Sequence, residues 1–99
     1  MARYELTNKA VEDLTGIWEY TIEKWSEQQA DRYYRSLLDS FQDIANNPEL
    51  GKNYDGITKD LLGLKTSRHI IFYRKQIDQP IEITRILHEQ MDLKNRIVE

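Results

Sequence analysis

The spacing of apolar residues divides the chain into a first half with helical periodicity and a second half with strand periodicity. Residues 3–7 alternate polar and apolar side chains, which predicts a short opening strand. Thr7 or Asn8 can then cap a helix. Apolar residues follow at steps of three and four, and they predict one stripe packed in the core, formed by Val11, Leu14, Trp18, Ile22 and Trp25. Gly16 indicates a close neighbour, because glycine inside a helix otherwise costs about 1 kcal/mol relative to alanine.

A second helix is predicted immediately after the first. Ser26 and Gln29 have the spacing of a capping box, and the very short turn forces the two helices into an antiparallel hairpin. The apolar stripe of this helix is predicted to contain Ala30, Tyr33 or Tyr34, Leu37, Phe41 and Ile44. Pro48 ends the helix, because the residue before a proline is disfavoured in helical geometry.

The remainder of the chain has the composition and alternation of strands. Residues 61–64, 69–74 and 81–87 are rich in β-branched and aromatic side chains, and the turn at residues 77–80 makes a hairpin of the last two. Residues 88–99 are charged and form either a short helix or a disordered tail. The predicted fold is α+β in the order β-α-α-β-β-β, with an antiparallel-dominated sheet and the helical hairpin packed on one face. The opposite face is expected to be open and to carry the function.

Composition narrows the class of protein. The chain has 99 residues, of which 39% are hydrophobic and 31% charged, as in a globular domain. We expect residues 1–99 to form a single domain. The chain contains no cysteine and no long apolar run or signal-peptide core, so we expect a cytoplasmic protein that is not attached to a membrane.

Charge is distributed unevenly along the chain. Residues 1–50 carry five basic and ten acidic side chains, whereas residues 51–99 carry nine basic and seven acidic ones. Between residues 65 and 75 lie four bases and no acid, namely Lys65, Arg68, Arg74 and Lys75. These bases either protect a sheet edge or bind an acidic partner segment or a phosphate backbone. Because the net charge is −3, autonomous strong binding of nucleic acid is not expected.

Element order and several local motifs resemble the ParE toxins of the RelE/ParE superfamily. The motifs are Ala10 with Asp13-Leu14, Gln29-Ala30, Tyr34, Leu37, Phe41, Asn47-Pro48, Gly51, residues 69–74, residues 81–83, residues 85–88 and Met91-Asp92. The resemblance covers nearly the whole chain and implies the toxin of a type II toxin–antitoxin pair, bound in a hetero-oligomer by a ParD-like antitoxin. ParE toxins poison DNA gyrase, whereas RelE relatives of the same fold cleave messenger RNA in the ribosome. An inactive relative that retains only antitoxin binding is a third alternative.

The chemistry of a RelE-type ribonuclease requires cations around a phosphate and groups that move a proton. The candidates are Arg85, His88, Tyr73, Arg68 and His69, and His88 is the candidate acid or base because histidine titrates near neutrality. Residues three apart in a strand point to opposite faces, which argues against an Arg85–His88 pair unless the strand ends or bulges between them. Arg85 could instead be an internal support that binds carbonyls or an acid. His88 could be a helix cap or an edge residue, and His69 is expected to be a polar flank.

We therefore favour a protein that acts by binding and not by catalysis. The expected gyrase-binding residues are Arg85, His88, Met91 and Asp92, in and beyond the last strand. For the antitoxin, Tyr33 and Tyr34 cannot both face inward, so one of them is a candidate anchor, and Lys65, Arg68, Arg74 and Lys75 would pair with its acids. Trp18 and Trp25 are expected in the core. Neither a metal site nor a cofactor is predicted, since the two histidines have no paired-ligand spacing and no phosphate-binding loop is present.

Overall fold

The structure, a computed structural model, describes residues 2–90 and 93–97. Its strands are β1 (Tyr4–Leu6), β2 (Lys52–Asn53), β3 (Leu62–Thr66), β4 (His69–Arg74) and β5 (Ile81–His88). Its α-helices are α1 (Asn8–Lys24), α2 (Glu27–Asn46) and α3 (Leu93–Ile97), and a 3₁₀ turn spans Pro48–Leu50. The predicted order is confirmed, with the two-residue β2 and the 3₁₀ turn as additions that were too short to show a period.

The ends of the two long helices lie where their capping residues predict. Thr7 caps α1 and accepts a hydrogen bond from the backbone N–H of Ala10 at 3.1 Å. Ser26 caps α2 and accepts one from the N–H of Gln29 at 3.0 Å. The stripe predicted for α2 is confirmed, because Ala30, Leu37, Phe41 and Ile44 are all buried.

The stripe predicted for α1 is partly wrong. The residues that α1 directs into the core are Ala10, Leu14, Ile17 and Thr21. Val11, Ile22 and Trp25 are exposed, although the prediction placed Trp25 in the core. Most residues that face the core precede the predicted ones by one position. The reason is that α1 carries apolar side chains along two adjacent lines of its surface, and the prediction chose the wrong one. Gly16 also has no close neighbour, since a Cβ there would meet nothing within 4 Å.

The sheet has the order β1-β5-β4-β3-β2. The pairs β2–β3, β3–β4 and β4–β5 are antiparallel, whereas β1 pairs in parallel with the first residues of β5. The antiparallel-dominated α+β fold is therefore confirmed. β5, the last of the strands within residues 2–90 and 93–97, lies between β1 and β4.

A β-bulge at Thr84 changes which residues of β5 face the helices. The register passes from Phe72 opposite Arg85 to Tyr73 opposite Ile83, so no residue of β4 lies directly opposite Thr84. Ile83 and Ile86 are three residues apart, yet both lie in the core under the helices, as an extra residue in one strand permits. The bulge precedes Arg85, so Arg85 and His88 still point to opposite faces.

Both faces of the sheet are covered, which corrects the prediction of an open face. α1 and α2 cover the first face over a core that includes Leu37, Phe41, Ile71 and Tyr73. On the second face, a smaller cluster contains Leu61, Ile70, Phe72 and Leu87. Tyr54 and Ile57 from the loop after β2, and Leu93 and Ile97 from α3, pack against this cluster. The charged composition of the tail concealed the two apolar residues that α3 contributes.

Candidate functional site

The edge of β5 beyond β1 is covered by α1 and not by another strand. β1 pairs only with residues 81–83 of β5, so the backbone of β5 from Thr84 onward needs other partners. The hydroxyl of Thr7 donates to the carbonyl of Thr84 at 2.8 Å. The carboxylate of Asp13 accepts from the N–H of Ile86 at 3.0 Å. Two side chains at the start of α1 thus take the place of a neighbouring strand.

Asp13 also forms a two-point ion pair with Arg85. Arg85 Nε lies 2.8 Å from Asp13 Oδ2, and Nη2 lies 3.0 Å from Oδ1. Arg85 Nη1 donates to the carbonyl of Arg96 in α3 at 2.7 Å. The side chains of Arg85 and Asp13 are 12% and 14% exposed. Arg85 therefore has the geometry of the internal support considered from sequence, and it joins α1, β5 and α3. We call this the edge clamp (Asp13, Arg85 and the Arg96 carbonyl).

Tyr33, His69 and His88 meet at the end of the sheet nearest the β3–β4 turn. The Tyr33 hydroxyl lies 2.6 Å from His69 Nδ1, and the rings of His69 and His88 are 5.4 Å apart at their centroids. His88 Nδ1 accepts from the N–H of Gln90 at 3.1 Å. The histidines come together because the register places them directly opposite each other.

Burial controls the ionisation of this cluster. It lowers the pKa of His69 from 6.5 to about 4, with a further lowering from His88 and opposing effects of Asp13 and Glu89. It also raises the pKa of the Tyr33 hydroxyl, against a smaller lowering by Arg68. His69 is therefore a neutral, hydrogen-bonded residue near pH 7. The sequence prediction of a mere polar flank missed this, and only the strand register would have revealed it.

The four bases between residues 65 and 75 do not form a free cationic patch. Lys65 Nζ lies 2.8 Å from a carboxylate oxygen of Glu89. This hydrogen bond raises the pKa of Lys65 and lowers that of Glu89. Lys75 pairs with Glu49. Arg68 is exposed in the β3–β4 turn, and Arg74 is half-buried at the end of β4. Two of the four bases predicted to bind an acidic partner, Lys65 and Lys75, therefore already form ion pairs within the chain.

Tyr73 lies inside the core, where a substrate cannot reach it. Its side chain is fully buried, and its hydroxyl donates to the carbonyl of Pro48 at 2.6 Å and accepts from the N–H of Gly51 at 2.9 Å. A Cβ at Gly51 would lie 2.5 Å from that hydroxyl, so glycine is needed for this approach. The contact anchors the 3₁₀ turn to the sheet. It leaves Tyr73 no role in proton transfer.

An apolar groove of about 570 Å³ opens between the two long helices beside β1. Its lining residues are Tyr4, Leu6, Val11, Leu14, Thr15, Trp18, Asp31, Tyr34 and Leu38. The rings of Trp18 and Tyr34 meet edge to face, with centroids 5.8 Å apart. Tyr33 turns inward to His69 and Tyr34 lies at the surface, as expected from their adjacency.

Of the target-binding residues predicted from sequence, Arg85 and His88 lie on opposite faces of β5, whereas Met91 and Asp92 lie outside the described residues. Within residues 2–90 and 93–97 no three acidic or histidine side chains are grouped as metal ligands. In that same part of the chain, no helix has the length and apolarity needed to cross a membrane.

Comparison with known proteins gives a consistent result. A family model described as the ParE toxin of type II toxin–antitoxin system, parDE, matches residues 4–93. The chain is 32% identical over 96 residues to toxin ParE1 of Mycobacterium tuberculosis, covering 97% of this chain and 98% of that protein. It is 31% identical to toxin ParE1 of Caulobacter vibrioides over 95% of this chain and 96% of the relative. Toxin ParE of Escherichia coli is 30% identical over 100% of this chain and 96% of its own length.

A solved structure shares the fold. A chain of the chromosomal ParDE TA system from P. aeruginosa superposes with a TM-score of 0.74 over 89% of this chain and 96% of its own, at 17% identity.

Proposed function

Because this chain belongs to the ParE toxin family of type II toxin–antitoxin systems, we propose that it inhibits DNA gyrase by binding and that a ParD-like antitoxin neutralises it. The observation that carries the proposal is the family match over residues 4–93.

Two of the candidate catalytic groups are already bound to other groups of the chain, which supports a function that does not involve catalysis. A ribonuclease needs cations directed at the phosphate and a residue that reaches the attacking hydroxyl. The guanidinium of Arg85 binds Asp13 and the Arg96 carbonyl, and the Tyr73 hydroxyl is buried between Pro48 and Gly51. His88 is on the face opposite to Arg85. The three candidates therefore do not converge on one point.

We place the antitoxin on the groove between α1 and α2. The groove is lined mainly by apolar and aromatic side chains, among them Trp18 and Tyr34, and aromatic residues are common anchors of protein interfaces. Tyr34 is the better anchor of the tyrosine pair, since Tyr33 is held inward by His69. Arg68 and Arg74 remain candidates for secondary contacts, because Lys65 and Lys75 already pair within the chain.

For gyrase we propose the segment that leaves β5 after His88. Arg85 contributes indirectly, because its hydrogen bond to the Arg96 carbonyl joins β5 to α3. Met91 and Asp92 belong to this segment by sequence and stay in the proposal as contact residues. His88 contributes the last side chain of the strand.

A supercoiling and DNA-cleavage assay with purified gyrase and the antitoxin-free protein tests the proposal. We expect cleaved DNA to accumulate or supercoiling to be lost, and the effect to disappear when ParD-type antitoxin is added. Met91→Ala with Asp92→Ala should weaken it while the variant still binds antitoxin. Arg74→Gln, at the far end of β4, is the matched control and should leave gyrase inhibition unchanged.

The second candidate function, a ribosome-dependent ribonuclease, is favoured by the Tyr33–His69–His88 cluster alone. Absence of any gyrase effect, together with translation-dependent cleavage of messenger RNA that His88→Ala abolishes, would replace the binding mechanism by catalysis. Absence of both activities, with antitoxin binding retained, would identify an inactive relative.

A further inference from the structure

The outer surface of α1 carries a pattern that extends beyond the groove. At three places along α1, one residue faces the core, the next faces the side of the groove, and the third faces the solvent. The second place lies seven residues after the first, and the third lies four residues after the second. The three triplets are Ala10-Val11-Glu12, Ile17-Trp18-Glu19 and Thr21-Ile22-Glu23. Because each helical residue is rotated by about 100° from the one before, the triplets define three parallel lines along the helix.

The middle line is apolar but exposed. Val11 is 49% exposed, Ile22 40% and Trp25, which continues the line at the hairpin turn, 75%. From Val11 to Trp25 the line extends over about 21 Å at ~1.5 Å per residue. The groove reaches only as far as Trp18, so Ile22 and Trp25 prolong its apolar wall by nearly two turns. Together these residues exceed the single exposed apolar side chains that a surface ordinarily carries.

The outermost line consists of carboxylates. Glu12, Glu19 and Glu23 are exposed, and none of them forms an ion pair with another residue in 2–90 or 93–97. On the opposite side of the groove, Glu27 is exposed at the start of α2 and Asp31 lines the groove beside Arg35. The apolar wall thus has acidic residues on both sides, in a half of the chain with five bases and ten acids.

From this arrangement we infer that the groove and its extension to Trp25 receive an amphipathic helix of about four turns whose apolar stripe is flanked by lysine or arginine residues. An apolar stripe at steps of three and four matches the wall formed by Val11, Trp18 and Ile22. Flanking bases face the exposed carboxylates, and flanking acids would be repelled by them. The same repulsion makes nucleic acid unsuitable as the occupant. This inference rests on the proposed function in taking the helix to be part of the antitoxin, and it assigns that segment its charge and its length.

Two synthetic peptides of about sixteen residues test the charge. They share one apolar stripe of leucines and differ only in whether lysine or glutamate flanks it, and each is titrated calorimetrically into the antitoxin-free full chain. We expect the lysine-flanked peptide to bind at least tenfold more tightly at low salt, with the ratio falling as salt is added. Equal affinities, tighter binding of the glutamate-flanked peptide, or no binding of either would overturn the inference.

Matched variants of the protein locate the effect. Glu19→Gln with Glu23→Gln should reduce the ratio severalfold, whereas Asp39→Asn with Asp43→Asn, two exposed positions on the outer side of α2, should leave it unchanged. An equal reduction by both pairs of substitutions would show that only the net charge of the protein matters. It would contradict the role that we assign to the carboxylates beside the groove.

The length is tested separately. Trp25→Ser should weaken both peptides about tenfold, and Tyr20→Ser should not, although Tyr20 is 59% exposed on the other flank of α1. If Trp25→Ser binds like the parent chain, the site ends at Trp18. These binding measurements do not involve gyrase, so they can be interpreted even if the protein does not inhibit gyrase. In the same way, a negative result with the peptides would not affect the gyrase assay.

Discussion

The two faces of the sheet are covered by layers of different kinds. Two long helices cover the first face, where Phe41 and Tyr73 are fully buried in the larger core. A loop and the five-residue α3 cover the second, where Phe72 is equally buried beneath Tyr54, with ring centroids 5.1 Å apart. We expect the two layers to differ in rigidity despite equal burial, because long regular helices form the first layer and short segments form the second.

The largest effect is expected from truncating a phenylalanine on each face. Phe41→Ala should lower the free energy of unfolding by about 4 kcal/mol, as is typical for a cavity that rigid neighbours cannot fill. Phe72→Ala should cost about 2–3 kcal/mol, since its cover can move into the space. Urea denaturation of both variants measures the difference. Equal losses would show that the loop and α3 are as rigid as the helical hairpin.

Asp13→Asn should remove the link between the two layers. The edge clamp connects α1 on one side with α3 on the other. Neutralising Asp13 removes the carboxylate that binds the guanidinium of Arg85 at two points, in a site where the Arg85 side chain is 12% exposed. We expect a loss of about 2–3 kcal/mol, slightly less than for a wholly buried pair, because both side chains keep some contact with solvent. Amide hydrogen exchange should accelerate in α3 more than in α2. Asp31→Asn, which breaks an exposed helical pair with Arg35, is the control and should cost at most about 0.5 kcal/mol.

A smaller effect should appear in the pH dependence of stability. The folded chain holds the pKa of His69 at about 4, against an ordinary 6.5, so between these values the unfolded chain binds a proton that the folded chain does not. Stability from the neutral imidazole is present above pH 6.5 and is lost as pH falls toward 4. Tyr33, His88, Asp13 and Glu89 are the titratable groups around it.

His69→Gln should flatten the slope of unfolding free energy between pH 6.5 and about 4, the interval set by the lowered pKa. Denaturation at several pH values, with His88→Gln as the comparison, measures it. An unchanged slope in His69→Gln would mean that the imidazole is solvated in the folded protein, and that burial does not control its ionisation.

Much of the fold could be predicted because its signals are local. The caps at Thr7 and Ser26 and the α2 stripe depend on residues a few positions apart, and they were confirmed. The parallel pairing of β1 with β5 and the bulge at Thr84 have no local signal. The bulge is what brings Ile83 and Ile86 to the same face, which strict alternation forbids.

The candidate site was harder to predict for the same reason. Asp13 and Arg85 both belong to motifs that resemble the ParE toxins, but their ion pair joins residues 72 positions apart. The core-facing residues of α1 were assigned incorrectly because two adjacent apolar lines give nearly the same periodicity as one. Periodicity alone could not determine which line faces the core and which one remains available to a partner.

The position of β5 in the sheet has a consequence for the timing of synthesis. The strand that completes the sheet is made last, yet it lies between β1 and β4 and is the parallel partner of residues 4–6. At a synthesis rate of about 5–20 residues per second, the first strand waits several seconds for its neighbour. Until then neither β1 nor the edge clamp can form. The nascent chain therefore cannot complete its sheet until β5 has been synthesised.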